Sequence, residues 1–139
     1  MGAAEKLDPD TLEQSFAEIS PRSVELAAAF YHHLFALHPE LFPLFARTNM
    51  AAQLDKLVAM LTLVVQNLRR PEVLAAEVSA LGRRHLAYKV RIDHYPLVKA
   101  ALVTTLAEMH GAGWTERRQI AWSDAYDFLE KLMLEAYEQ

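Results

Sequence analysis

The 139-residue chain has no cysteine, only four glycines and six prolines, and few β-branched aliphatics: nine Val and three Ile against 22 Ala and 21 Leu. Without cysteine there are no disulfides, thiolate nucleophiles, iron–sulfur clusters or Cys-based zinc sites, and the chain suits a reducing cytoplasm. So few Gly and Pro leave too few turns for an all-β sandwich or barrel. The excess of Ala and Leu over β-branched types points to an all-α domain. Basic charge is also short: 14 Lys and Arg against 18 Asp and Glu give a formal charge of −4. No basic block exceeds a pair, so a nucleic-acid partner is not expected. No uncharged apolar run approaches the ~18 residues of a membrane span, and Met1–Asp10 shows no signal peptide. Lys6 stands where the myristoylation pattern needs Ser or Thr.

Apolar types make up 53% of the chain and charged types 23%, the balance of a folded globule, and the length suits one domain over 1–139. Asp8-Pro9 reads as a cap and first helical position for a helix near 9–19. Ser20-Pro21 restarts the pattern, and Val24, Ala27, Ala28, Tyr31, Leu34 and Phe35 form a stripe up to the stop before Pro39. Pro39–Phe45 is a proline-marked, Phe- and Leu-rich corner. A long helix is expected near 50–69 on Leu54, Leu57, Val58, Leu61, Val64, Val65 and Leu68. A helix near 72–87 carries Leu74, Val78, Leu81 and His85 at i, i+4, i+7 and i+11, which turns His85 inward. A loop at 88–92 leads to a helix near 93–110. Thr115 caps the last helix, whose stripe runs Trp122, Ala125, Leu129, Leu132, Met133 and Ala136.

A lone histidine on an apolar helix face is more often a hydrogen-bonded core residue than a ligand. Tyr31 and Gln53 are two further polar side chains set in or beside apolar stripes, and each needs a partner if buried. A cofactor pocket gives all three a common reason: His85 as axial ligand on one side, Tyr31 and Gln53 as hydrogen-bond donors on the other. Neutral imidazole suits haem iron, and an apolar helical sandwich keeps water off it.

Several stretches carry a resemblance. They are Phe30-Tyr31-His32-His33-Leu34-Phe35 with Pro39, then Phe45, Gln53-Leu54-Asp55-Lys56-Leu57, and Gly82-Arg83-Arg84-His85. Tyr95-Pro96-Leu97-Val98 and Ala121-Trp122-Ser123-Asp124-Ala125-Tyr126 complete the set. In this order the chain resembles a globin, in particular the globin domain of bacterial flavohaemoglobins and their single-domain relatives. The resemblance implies a globin fold, a three-over-three helical sandwich around one haem b. It implies His85 as the proximal iron ligand, Tyr31 and Gln53 in the distal pocket, Phe45 on the haem plane, Leu57 on the distal wall and Tyr95 as a donor in the proximal network. Lys56, Arg84 and Lys89 are candidates for the haem propionates or plain surface residues.

Three departures from the family pattern stand out. The flavin and nicotinamide domains are not present up to Gln139, so redox turnover is expected to need an external reductase. Counting from Trp122 and Tyr126, the family's proximal glutamate falls on Tyr137, with Glu135 and Glu138 on other faces. The corner between Phe45 and Gln53 is also about two residues shorter than in flavohaemoglobins.

The expected function is reversible dioxygen binding and, given a reductase, oxidation of nitric oxide to nitrate. Donors from Tyr31 and Gln53 stabilise the negative charge that dioxygen acquires on reduced iron. The alternatives are a non-enzymatic gas carrier or sensor, and a helical interaction module without cofactor. The last leaves His85, Tyr31 and Gln53 without a shared reason.

Overall fold

The computed structural model describes residues 7–138, which form six α-helices, most of them joined through short 3-10 turns, with no strand among them. The helices are α1 (Pro9–Ile19), α2 (Ser23–Leu37), α3 (Met50–Gln66), α4 (Pro71–Ala87), α5 (Tyr95–His110) and α6 (Glu116–Leu134). Side-chain caps start three of them. The Asp8 carboxylate accepts from the Thr11 amide ahead of Pro9, Asn49 accepts from the Ala52 amide, and Thr115 accepts from the Arg118 amide.

Helices α1, α3 and α4 lie over α2, α5 and α6 in a three-over-three sandwich. Within the layers α1 meets α3, and α5 lies between α2 and α6; across them α3 rests on α2, and α4 on α6 and the terminal turn Glu135–Glu138. Leu12, Leu26, Leu74, Val78, Thr105 and Leu106 lie at the centre, essentially without exposure. Gly82 allows a close crossing of α4 and α6: a methyl there would come within 2.4 Å of the Met133 carbonyl oxygen. Only a residue without Cβ lets α4 lie this near α6, and that contact sets the height of His85 one turn later.

The buried face of α2 differs from the expected stripe. Val24 is 58% exposed and Ala28 also faces outward, whereas Leu26, Ala27, Phe30, Tyr31 and Leu34 are buried. The reason is that α2 is apolar almost all round, so its periodicity does not choose a face; packing between α3 and α5 does. Helix α3 ends at Gln66 rather than 69, yet Leu68 in the following turn is still buried.

Burial is uneven along the helices that carry the candidate residues. In α3 the N-terminal half, with Gln53, Leu54, Leu57 and Val58, is only half-buried, and deep burial starts at Leu61. In α4 Leu74 and Val78 are fully buried, but Leu81 and His85 toward the C-terminus are half-buried. A set of apolar side chains at these ends is thus left incompletely covered by protein.

Candidate functional site

Tyr31 points inward from α2 into an aromatic nest. Its ring meets Phe30 edge-on at 4.9 Å, stacks with Phe35 at 5.9 Å and meets Phe45 edge-on at 5.6 Å. Phe45 comes from the 3-10 corner Pro39–Phe45, so that corner positions one wall of the nest. The Gln53 side chain, from the first turns of α3, donates from Nε2 to the Tyr31 hydroxyl oxygen at 2.9 Å. The tyrosine thus uses its oxygen as acceptor, and its own proton has no acceptor among the described residues. Burial pushes the Tyr31 phenol above its ordinary pKa, more than the Gln53 bond lowers it, so the proton stays in place at neutral pH. Leu57, one turn beyond Gln53 on the same face, is half-buried against the core.

The second group of residues is built on α4 and α5. Nδ1 of His85 lies 2.9 Å from the Leu81 carbonyl oxygen, the i−4 bond that a helical histidine can make, so Nδ1 carries the proton. Nε2 has no hydrogen-bond partner among the described residues. Burial holds the His85 pKa below its ordinary value, and the Arg84 charge adds to this against the Leu81 carbonyl. The ring is therefore a neutral imidazole with a free lone pair, the form that ligates metals. Tyr95 lies beneath it with ring centroids 6.4 Å apart, and its hydroxyl meets that of Tyr137 at 3.2 Å. Burial raises the Tyr95 phenol far above its usual range.

Of the sequence candidates, Tyr31, Gln53 and Phe45 come together in one nest, and His85 and Tyr95 in another. Lys56, Arg84 and Lys89 are exposed, and none lies within salt-bridge distance of a carboxylate among the described residues. Lys89 adopts φ 66°, a left-handed turn that closes the end of α4. The sequence did not point to Leu81 as the acceptor for His85, nor to hydrogen bonds made by Val90 and Tyr126. The Leu81 contact was open to inference from i−4 spacing; the Tyr126 hydroxyl bond to the Tyr95 carbonyl, at 2.7 Å, spans two helices and left no local signal.

The donor set suits an apolar group that carries a metal. It consists of a neutral imidazole nitrogen without partner and a protonated phenol with an uncommitted proton. Half-covered aliphatic and aromatic side chains, Phe45, Leu54, Leu57 and Leu81, accompany them.

A family model described as Globin matches residues 28–133. A globin-like protein of Aquifex aeolicus is 32% identical over 116 residues, which are 84% of this chain and 81% of that one. A flavohemoprotein of Bacillus cereus is 28% identical over 127 residues, 87% of this chain but only 31% of its own length. The chain thus spans about a third of the flavohemoproteins it matches. Among solved structures, a candidate nitric oxide dioxygenase of Rhodothermus marinus, engineered as a carbene transferase, superposes with a TM-score of 0.84 at 28% identity, covering 95% of this chain and 94% of that one. A Campylobacter jejuni globin shares the fold at a TM-score of 0.79 and 20% identity, over 94% of this chain and 97% of its own.

Proposed function

Because the chain belongs to the globin family, we propose that it is a haem b protein that binds dioxygen reversibly and, with an external reductase, oxidises nitric oxide to nitrate. The observation that carries this reading is the Gln53–Tyr31 bond at 2.9 Å, which leaves the phenol proton free for a bound ligand. The family implies a haem cofactor, and with no cysteine in the chain the haem is held without thioether links.

His85 would hold the iron through Nε2, with its ring fixed by the Nδ1 bond to Leu81. When bound, the haem would supply an iron centre for dioxygen and redox chemistry. In the balance, nitric oxide, dioxygen and one electron from the reductase give nitrate. Tyr31 donates its proton toward the oxygen ligand, where charge-assisted bonds are strongest, and Gln53 keeps that hydroxyl oriented by occupying its oxygen. Phe45 and Leu57 exclude water, which strengthens that bond by lowering the local dielectric. Lys56, Arg84 and Lys89, free of carboxylate partners among the described residues, are available to the haem propionates. Among the described residues no helix is long and apolar enough to cross a membrane. The cysteine-free sequence suits a reducing compartment, which supports a cytoplasmic place for the activity.

Three findings support the reading: the candidate dioxygenase of Rhodothermus marinus among the structural neighbours, the flavohemoproteins among the relatives, and the donor geometry itself. The test supplies haem-loaded protein with a flavin reductase, reduced nicotinamide and nitric oxide in aerated buffer. Nitrate formed in step with nitric oxide consumed is the expected result. Slow oxygen release with no nitrate above the reductase-only control would replace this function with that of a carrier or sensor.

A further inference from the structure

The terminal turn Glu135–Glu138 brings Tyr137 back beside the end of α4, where its hydroxyl meets two groups. It lies 2.5 Å from the Val90 carbonyl oxygen and 3.2 Å from the Tyr95 hydroxyl. A carbonyl oxygen only accepts, so the single proton of Tyr137 goes to Val90. The contact between the two tyrosines then requires the proton of Tyr95, which donates to the Tyr137 oxygen.

Val90 continues the chain of bonds. Its amide donates to the His85 carbonyl oxygen at 3.0 Å, and this bond closes the left-handed turn at Lys89. The Tyr95 backbone is held in turn by the Tyr126 hydroxyl. The His85 ring keeps the Leu81 carbonyl as its Nδ1 acceptor, and among the described residues no carboxylate bonds to His85, Tyr95 or Tyr137. Glu135 and Glu138, the nearest acidic residues in sequence, are exposed.

We propose that Tyr137 is a positioning residue for His85: its hydroxyl anchors the Val90 turn to which the His85 backbone is bonded, and it engages the Tyr95 hydroxyl as an acceptor. The ring is left with a neutral carbonyl partner, which makes it a weaker donor to a metal than an imidazole bonded to a carboxylate. The inference rests on His85 being the iron ligand. Its backbone half is independent of haem.

The test compares the haem-loaded protein with Tyr137→Phe and Tyr137→Glu by two readouts. The first is amide hydrogen exchange. Loss of one buried neutral hydrogen bond should quicken exchange at Val90 about fivefold in Tyr137→Phe, while amides in the middle of α5 stay unchanged. The second is the iron–histidine vibration of the reduced protein. It should lie low, as for a neutral imidazole, and rise in Tyr137→Glu as a carboxylate enters the proximal side. Unchanged exchange at Val90, or the same frequency in Tyr137→Glu as in the parent, overturns the proposal. If exchange quickens but the parent shows no iron–histidine band, the failure lies instead in the assignment of His85 as ligand.

Discussion

Gly82 packs directly against the backbone of Met133, so that a side-chain methyl would lie 2.4 Å from the Met133 oxygen and 2.7 Å from its Cα. Neither partner can turn aside, because both are main chain inside packed helices. Gly82→Ala gains about 1 kcal/mol of helix propensity but forces α4 and α6 apart, and overpacking of this kind costs on the order of 1–3 kcal/mol. We expect a net loss of stability in denaturant unfolding together with weaker haem retention, since His85 lies one turn beyond the contact. A variant as stable as the parent would mean that the two helices separate freely.

Tyr31→Phe removes the distal proton and keeps the ring among Phe30, Phe35 and Phe45. A charge-assisted bond in a dry site contributes on the order of 1.5–3 kcal/mol, or at least about tenfold in oxygen release. Carbon monoxide, which carries less negative charge when bound, should change far less. Gln53→Leu should act in the same direction but more weakly, because Gln53 orients the hydroxyl through its oxygen rather than supplying the proton. Stopped-flow dissociation of both gases from both variants measures this. Equal oxygen release from the parent and Tyr31→Phe would show that the phenol proton points elsewhere.

His110 predicts a pH dependence remote from the candidate site. Its side chain is 2% exposed. Arg118 donates to Nδ1 at 3.2 Å, so the ring proton sits on Nε2 and is given to the Ser15 hydroxyl at 2.7 Å, which also accepts from the Trp122 indole at 2.9 Å. Burial, followed by the Arg118 charge, depresses the His110 pKa in the folded protein; Glu18, at 3.8 Å, opposes this. The unfolded chain therefore takes up the proton first. Stability is fully present above the ordinary histidine pKa of about 6.5 and falls below it, by at most about 1.4 kcal/mol per pH unit for this group. Denaturant midpoints taken between pH 8 and 5 should show a shallower decline in His110→Gln than in the parent. Parallel profiles would exclude His110 as the source.

Much of the fold was legible because its helices carry clear stops and caps: Asp8-Pro9, Pro39, Pro71 and Thr115 mark boundaries close to those observed. The face of α2 was not, since a helix apolar on most sides leaves the choice to its neighbours. The inward turn of His85 followed from four residues on one stripe, and Leu81 as its acceptor follows from the same spacing. The Tyr31–Gln53 bond joins residues from two helices, so the sequence suggested a shared pocket with both as donors to a ligand but not that Gln53 donates to the Tyr31 oxygen. Tyr137 was visible only as a tyrosine in an unexpected position; its bond to Val90 depends on a turn that no periodicity encodes.

The central claim is that His85 alone among the side chains holds the haem iron. It is tested most directly by the absorption spectrum of His85→Gly after haem-replete expression, with and without added imidazole. The account predicts a Soret band in the parent, its loss or conversion in His85→Gly, and return of the parent spectrum when free imidazole takes the place of the missing ring. A His85→Gly spectrum identical to the parent's without imidazole would contradict it.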